Sequence, residues 1–83
     1  MRHLAFAREA KDFLESLDAK QFRQVGRKCL SLIDNPRPND SIRLKASEYY
    51  RTDIGEYRIV YLFDEDVVSI DRIGKRNDDE VYK

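Results

Sequence analysis

The stretch Tyr50-Arg51-Thr52-Asp53-Ile54-Gly55-Glu56-Tyr57-Arg58-Ile59-Val60-Tyr61 decides the fold. Gly55-Glu56 lies between two runs rich in β-branched and aromatic residues. It reads as a two-residue hairpin loop with glycine first, where the chain needs a positive φ. This register pairs Ile54 with Tyr57 and Asp53 with Arg58. Alternation then sorts the strands into two faces. Tyr50, Thr52, Ile54, Tyr57, Ile59 and Tyr61 form a mostly apolar set that calls for a cover, while Tyr49, Arg51, Asp53, Arg58, Val60 and Leu62 form a mixed set suited to an open face.

Downstream, Val67–Ile73 reads as a further strand. A turn at Glu65-Asp66 aligns Phe63 with Val68 and Tyr61 with Ile70 on the covered face. It sends Ser69 and Asp71 to the open face but leaves Arg72 pointing toward the cover, a conflict that a β-bulge would repair. Upstream, Ile42, Leu44 and Ala46 alternate with Arg43 and Lys45 as an additional strand. Before it, Asp34-Asn35-Pro36-Arg37-Pro38-Asn39-Asp40 is dense in turn formers and ends any helix.

The first part of the chain is helical in pattern. From Arg8, residues Ala10, Phe13, Leu14 and Leu17 gather on one side of a 3.6-residue period. Asp18 followed by Gln21 fits the start of a second helix over Ala19–Ile33, with Phe22, Val25, Cys29 and Leu32 as its buried stripe. Gly26 would then allow close approach to the first helix, at a cost of ~1 kcal/mol against alanine. Leu4-Ala5-Phe6 reads as a short opening strand. The expected architecture is α+β: an N-terminal helical hairpin, preceded by this short strand, packed on a twisted, mainly antiparallel sheet of about four strands. One domain spans residues 1–83.

Sixteen basic residues balance sixteen acidic ones, so bulk charge gives no argument for nucleic acid and only its distribution does. A single cysteine excludes an internal disulfide, and its apolar helical position gives Cys29 a packing role in a reducing cytoplasm. No signal peptide or membrane-length apolar run is present. His3 is the sole histidine, which excludes a two-histidine ribonuclease arrangement. His, Cys, Asp and Glu show no metal-ligand spacing and there is no glycine-rich nucleotide loop, so no metal or cofactor is expected.

The arginines suggest a chemistry. RNA is cut without a metal when its 2′-hydroxyl attacks the adjacent phosphorus, a route closed to DNA. Such a site needs a base near the 2′-hydroxyl, cations around the phosphorane and an acid near the leaving oxygen. Arg58 and Arg51 suit the cationic role, because guanidinium stays charged and grips phosphate through paired hydrogen bonds. Arg76 joins them if the chain turns back after Gly74. The competing reading is an ordinary cross-strand pair of Asp53 with Arg58, worth ~0.2–1 kcal/mol. Lys75 reads as a solvated charge or a secondary phosphate contact, as does Lys83. Tyr82 reads either as a base-stacking ring or a phenol beside the phosphate, or as a cap on the sheet edge. Tyr49 reads as a stacking platform or as packing. Arg43 and Lys45 complete the candidate substrate contacts.

At Tyr50-Arg51, Gly55-Glu56-Tyr57-Arg58-Ile59-Val60-Tyr61 and Ile73-Gly74-Lys75-Arg76…Glu80-Val81-Tyr82, the chain resembles the RelE branch of the RelE/ParE toxin superfamily. The resemblance implies a bacterial toxin that cuts messenger RNA in the ribosomal A site and is held in check by a cognate antitoxin in a hetero-oligomer, with no membrane partner. By position, Arg58 would hold the scissile phosphate and Arg76 would stabilise the transition state or serve the leaving group. Tyr82 would stack on or orient the substrate, and Arg51 occupies a basic position of the site. Asp53 departs from the pattern, since relatives commonly carry a basic residue there. Either Asp53 accepts the 2′-hydroxyl proton, which favours a raised pKa, or it neutralises Arg58. A ParE-like inhibitor of DNA gyrase without nuclease activity is the alternative, and an inactive module that binds antitoxin is a third reading.

Overall fold

A computed structural model describes residues 1–77. Its elements run β1 (His3–Phe6), α1 (Arg8–Glu15), α2 (Ala19–Asp34), β2 (Ile42–Arg43), β3 (Tyr50–Ile54), β4 (Tyr57–Phe63) and β5 (Val67–Lys75). The strands form one five-stranded sheet in the order β1-β5-β4-β3-β2. Every pairing is antiparallel except that of β1 with β5. The sheet reaches five strands because the opening segment does form a strand, seated parallel beside the start of β5.

The hairpin forms as its residues dictate. Gly55 has φ +57, and Ile54 pairs with Tyr57 and Asp53 with Arg58. At the next hairpin Phe63 meets Val68 and Tyr61 meets Ile70, after which the register shifts between Val60 and Tyr61. One extra residue in β5 lets Arg72 stand opposite Val60 and brings Ile73 back opposite Ile59. The bulge therefore removes the conflict that a regular ladder would create at Arg72.

The helices cover the apolar face. Ala10 and Leu14 from α1, and Val25, Cys29 and Leu32 from α2, pack with Tyr57, Ile59, Tyr61, Val68, Ile70 and Ile73 in a single cluster. Each valine, leucine and isoleucine among them contributes roughly 1.5–3 kcal/mol on burial. The Asp18 carboxylate accepts from the Gln21 backbone N–H at 2.9 Å and caps α2. Burial pushes the Cys29 thiol up to about 12, as befits packing rather than reactivity. Tyr61 buries its ring and donates its hydroxyl to the Pro36 carbonyl at 2.6 Å, tying the proline loop to the core. Lys28 reaches the Asp40 carboxylate at 2.9 Å and fastens the same loop to α2.

Three expectations are corrected. Phe22 is 43 % exposed rather than part of the α2 stripe, whose centre runs through Val25, Cys29 and Leu32. A Cβ on Gly26 would meet nothing within 4 Å, so this glycine makes no close helix approach. The strand from Ile42 stops at Arg43, because Lys45 and Ala46 form a turn in which Ala46 takes φ 56 and Leu44 N–H bonds the Tyr49 carbonyl at 2.8 Å.

Thr52 is the polar exception on the covered face. It is fully buried, and its hydroxyl meets no partner at hydrogen-bond geometry among the described residues. Burial raises the Asp40 carboxyl, but Lys28 and then the nearby Thr52 hydroxyl bring it below its ordinary value.

Candidate functional site

Two cross-strand rows make up the open face beside the hairpin. In one, Asp53 of β3, Arg58 of β4 and Gly74 of β5 stand side by side; in the next, Arg51, Val60 and Arg72 do. Glycine at position 74 puts no side chain in the row next to Arg58.

Arg58 and Asp53 engage through two parallel hydrogen bonds, Nε to Oδ1 at 2.7 Å and Nη2 to Oδ2 at 3.1 Å. Arg51 Nη1 lies 3.8 Å from the second oxygen of that carboxylate. The Arg58 side chain is only 11 % exposed, so its fork is fixed in place rather than swinging in solvent. The hydrogen bond from Arg58 holds the Asp53 carboxyl below its usual range against the opposing effect of burial, and the charges of Arg58, Arg51 and Arg76 add to the lowering. This is the opposite of the shift that a general base favours, so Asp53 is an ion-pair partner of Arg58.

Arg76 joins the cluster because the chain turns back after β5. Its backbone N–H donates to the Glu56 carbonyl at 2.7 Å, docking the turn against the hairpin tip. Its guanidinium charge is felt at Asp53. Lys75 pairs with Tyr57 and so stands in the other face's register, yet with Glu56, Arg76 and Asn77 it lines a cleft of about 230 Å³ at the tip.

Other candidates stand outside the two rows. Arg43 pairs with Tyr50 on the helix side, and its Nε donates to the Ser47 carbonyl at 2.9 Å. Lys45 sits exposed on the following turn. Tyr49 is half-buried just before β3, two residues from Arg51 but four from Asp53, or ~13 Å from the latter along an extended chain. His3 stands beside Val67, at the opposite end of β5 from Gly74, the partner of Arg58. Tyr82 lies outside the described residues, as does Lys83. No group of His, Cys, Asp and Glu suited to a metal ion occurs among the described residues.

Arg72 reaches the open face through the bulge that the conflict in its register called for. The bulge sets it in the Arg51 row, and its guanidinium lies 3.9 Å from Glu9 at the start of α1. No helix among the described residues is long and apolar enough to cross a membrane.

The fold has counterparts. Residues 4–80 match the family model described as the ParE toxin of type II toxin–antitoxin systems. The isolated RelE toxin of E. coli superposes with TM-score 0.78 at 26% identity, over 99% of this chain and 92% of that one. Toxin–antitoxin complexes give similar likenesses. The E. coli RelBE complex matches with TM-score 0.75 at 25% identity, covering 90% and 96% of the two chains. The archaeal RelE–RelB complex of Pyrococcus horikoshii matches with TM-score 0.78 at 23% identity, covering 92% and 96%. No curated protein is a significant match. The chain belongs to the ParE toxin family of type II toxin–antitoxin systems, and within the RelE/ParE superfamily it is RelE-like.

Proposed function

We propose that this toxin is a ribosome-dependent endoribonuclease that cleaves mRNA in the A site, stops translation and is neutralised by a cognate antitoxin. The observation that carries the reading is the convergence of Arg51, Arg58 and the charge of Arg76 around one point of the open face. In the reaction, the 2′-oxygen of the RNA attacks phosphorus and the bond to the 5′-oxygen breaks. The products are a 2′,3′-cyclic phosphate and a 5′-hydroxyl; the 2′ proton leaves to a base and the 5′-oxygen gains one. The attacking group belongs to the substrate, so no metal is required to generate it.

Arg58 grips the non-bridging oxygens of the scissile phosphate, Arg51 adds a second cation, and Arg76 stabilises charge at the leaving side. Tyr82 supplies a stacking or orienting ring, and Lys75 is an outer phosphate contact. Asp53 restrains Arg58 instead of removing the proton, so the substrate phosphate competes with a carboxylate for the same fork.

That competition also favours a second reading, a gyrase inhibitor that binds without cutting, which the ParE family match supports. Toeprinting on translating ribosomes, set beside a gyrase supercoiling assay, decides between them. Cuts within translated frames are expected; intact mRNA with blocked supercoiling would establish the inhibitor instead.

A further inference from the structure

The open face carries a third row that the arginine chemistry does not use. Past Val60 and Arg72, the next β4–β5 pair on that face is Leu62 with Ser69, four residues and ~13 Å along β4 from Arg58. A cleft of about 260 Å³ opens there, lined by Glu48, Leu62, Phe63, Asp64, Val67 and Ser69. Arg2, which donates to the Asp64 carbonyl at 2.7 Å and sits over the Phe63 ring, is not part of its wall. With two carboxylates and no cation, the cleft repels phosphate.

The two acids differ. Asp64 is used by the fold: its Oδ1 accepts from the backbone N–H groups of Asp66 and Val67 at 2.7 and 2.9 Å and shapes the β4–β5 turn. The side chains of Glu48 and Ser69 make no hydrogen bond or ion pair among the described residues. Glu48 rides on a braced loop, in which Arg43 Nε donates to the Ser47 carbonyl at 2.9 Å and the Tyr49 N–H donates to the Ser47 hydroxyl at 2.9 Å. Ala46 in the same loop takes φ 56, a left-handed backbone that alanine seldom adopts.

An acceptor-only carboxylate, a hydroxyl donor and the apolar side chains of Leu62 and Val67 suit a group with apolar faces and a polar edge, as a nucleobase has. Guanine fits best. Its Watson–Crick edge sets two donors side by side, the N2 amine and N1–H, next to the acceptor O6, so both carboxylate oxygens are engaged. Adenine, cytosine and uracil each turn an acceptor toward the second oxygen. A lysine from a protein would also satisfy Glu48, but continuity favours a base: a strand whose phosphate lies on Arg58 and Arg51 crosses the same face.

Given the nuclease reading, on which this inference rests, we propose that the cleft reads guanine in a nucleotide flanking the cleaved bond, with Glu48 accepting from N1–H and the N2 amine and Ser69 donating to O6.

The test programmes ribosomes with short mRNAs that carry guanosine, inosine or adenosine at one nucleotide flanking the cut. Inosine keeps N1–H and O6 but lacks the N2 amine. The full chain should cut the guanosine mRNA at least about tenfold faster than either of the others, and Glu48→Gln should bring the three within about twofold at an unchanged melting temperature. A second arm needs no catalysis: in an NMR titration, guanosine 5′-monophosphate should shift the amides of Glu48, Leu62 and Ser69, and Glu48→Gln should abolish these shifts. Equal rates for the three mRNAs, a preference that survives Glu48→Gln, or no such shifts would each overturn the proposal. Stronger shifts of the same amides by trilysine would overturn it too and make the cleft a protein contact. Failure to cut any mRNA would instead remove the nuclease reading, and the titration would then decide by itself whether the cleft takes guanine.

Discussion

The two faces of the sheet are made from alternate residues of the same strands, yet they obey different rules. On the helix side, Ile59, Tyr61, Val68 and Ile70 are fully buried and held by shape and area. On the open side, Arg51, Asp53 and Arg58 are held by direction and charge. The first kind of order is shared among many contacts, so that any apolar residue of similar volume preserves much of it. The second is concentrated in a few atoms, and a change of chemistry at one position changes what the face can do.

The sharpest way to break this contrast is Ile70→Ala, which should cost about 2–5 kcal/mol of stability by removing buried methyl and methylene groups. Urea unfolding measures it, and a loss under about 1 kcal/mol would mean the face is not closely packed. Arg58→Ala should reverse the pattern, lowering mRNA cleavage by at least about 100-fold, as losing a preorganised charge donor does elsewhere, while the melting temperature moves little. Undiminished cutting would remove Arg58 from the site. Tyr61→Phe should cost about 1–3 kcal/mol, because it strips the buried Pro36 carbonyl of its donor while leaving the ring in place.

Asp53→Asn tests the open face more gently. Its carboxyl is held low in the folded state, so the stability it contributes is complete above the unfolded value near ~4 and is lost as pH falls through the lowered folded value. The variant should flatten the acid limb of stability against pH. It should also raise cleavage, by no more than about fivefold if the pair is worth up to ~1 kcal/mol. Abolished cleavage would restore Asp53 as the base. The smallest effect belongs to Thr52→Val, which removes a buried hydroxyl of nearly the same shape. Stability should stay within about 0.5 kcal/mol or rise, and a loss above about 1 kcal/mol would show that Asp40 does accept its hydrogen bond.

Much of this was legible from residue order. Gly55 announced the hairpin because a positive φ in a two-residue loop has few other tenants, and the register then placed Arg51, Asp53 and Arg58 together. Phe22 was misread because periodicity gives the direction of a helical stripe but not where its cover stops. Lys45 was assigned to the strand that begins at Ile42 because alternation continues through Ala46, whereas the strand ends at Arg43 and the backbone then turns over. The relation of Arg76 to Asp53 depends on how the chain folds back onto Glu56, a contact between distant residues that no local pattern encodes. The cleft at Leu62 went unnoticed because Glu48 looks like a solvated loop residue until Ser69 is placed across from it.

The irregularity in β5 carries a consequence for inheritance. Asp71 is the supernumerary residue, so deleting it would leave Arg72 opposite Val60 and Ile73 opposite Ile59 and turn β5 into a regular ladder. A single deletion at Ser69 would instead act like a reading-frame slip in three dimensions, turning the residues on one side of it to the opposite face. Lineages of this toxin should therefore tolerate loss of Asp71 far more readily than a change of length earlier in the strand.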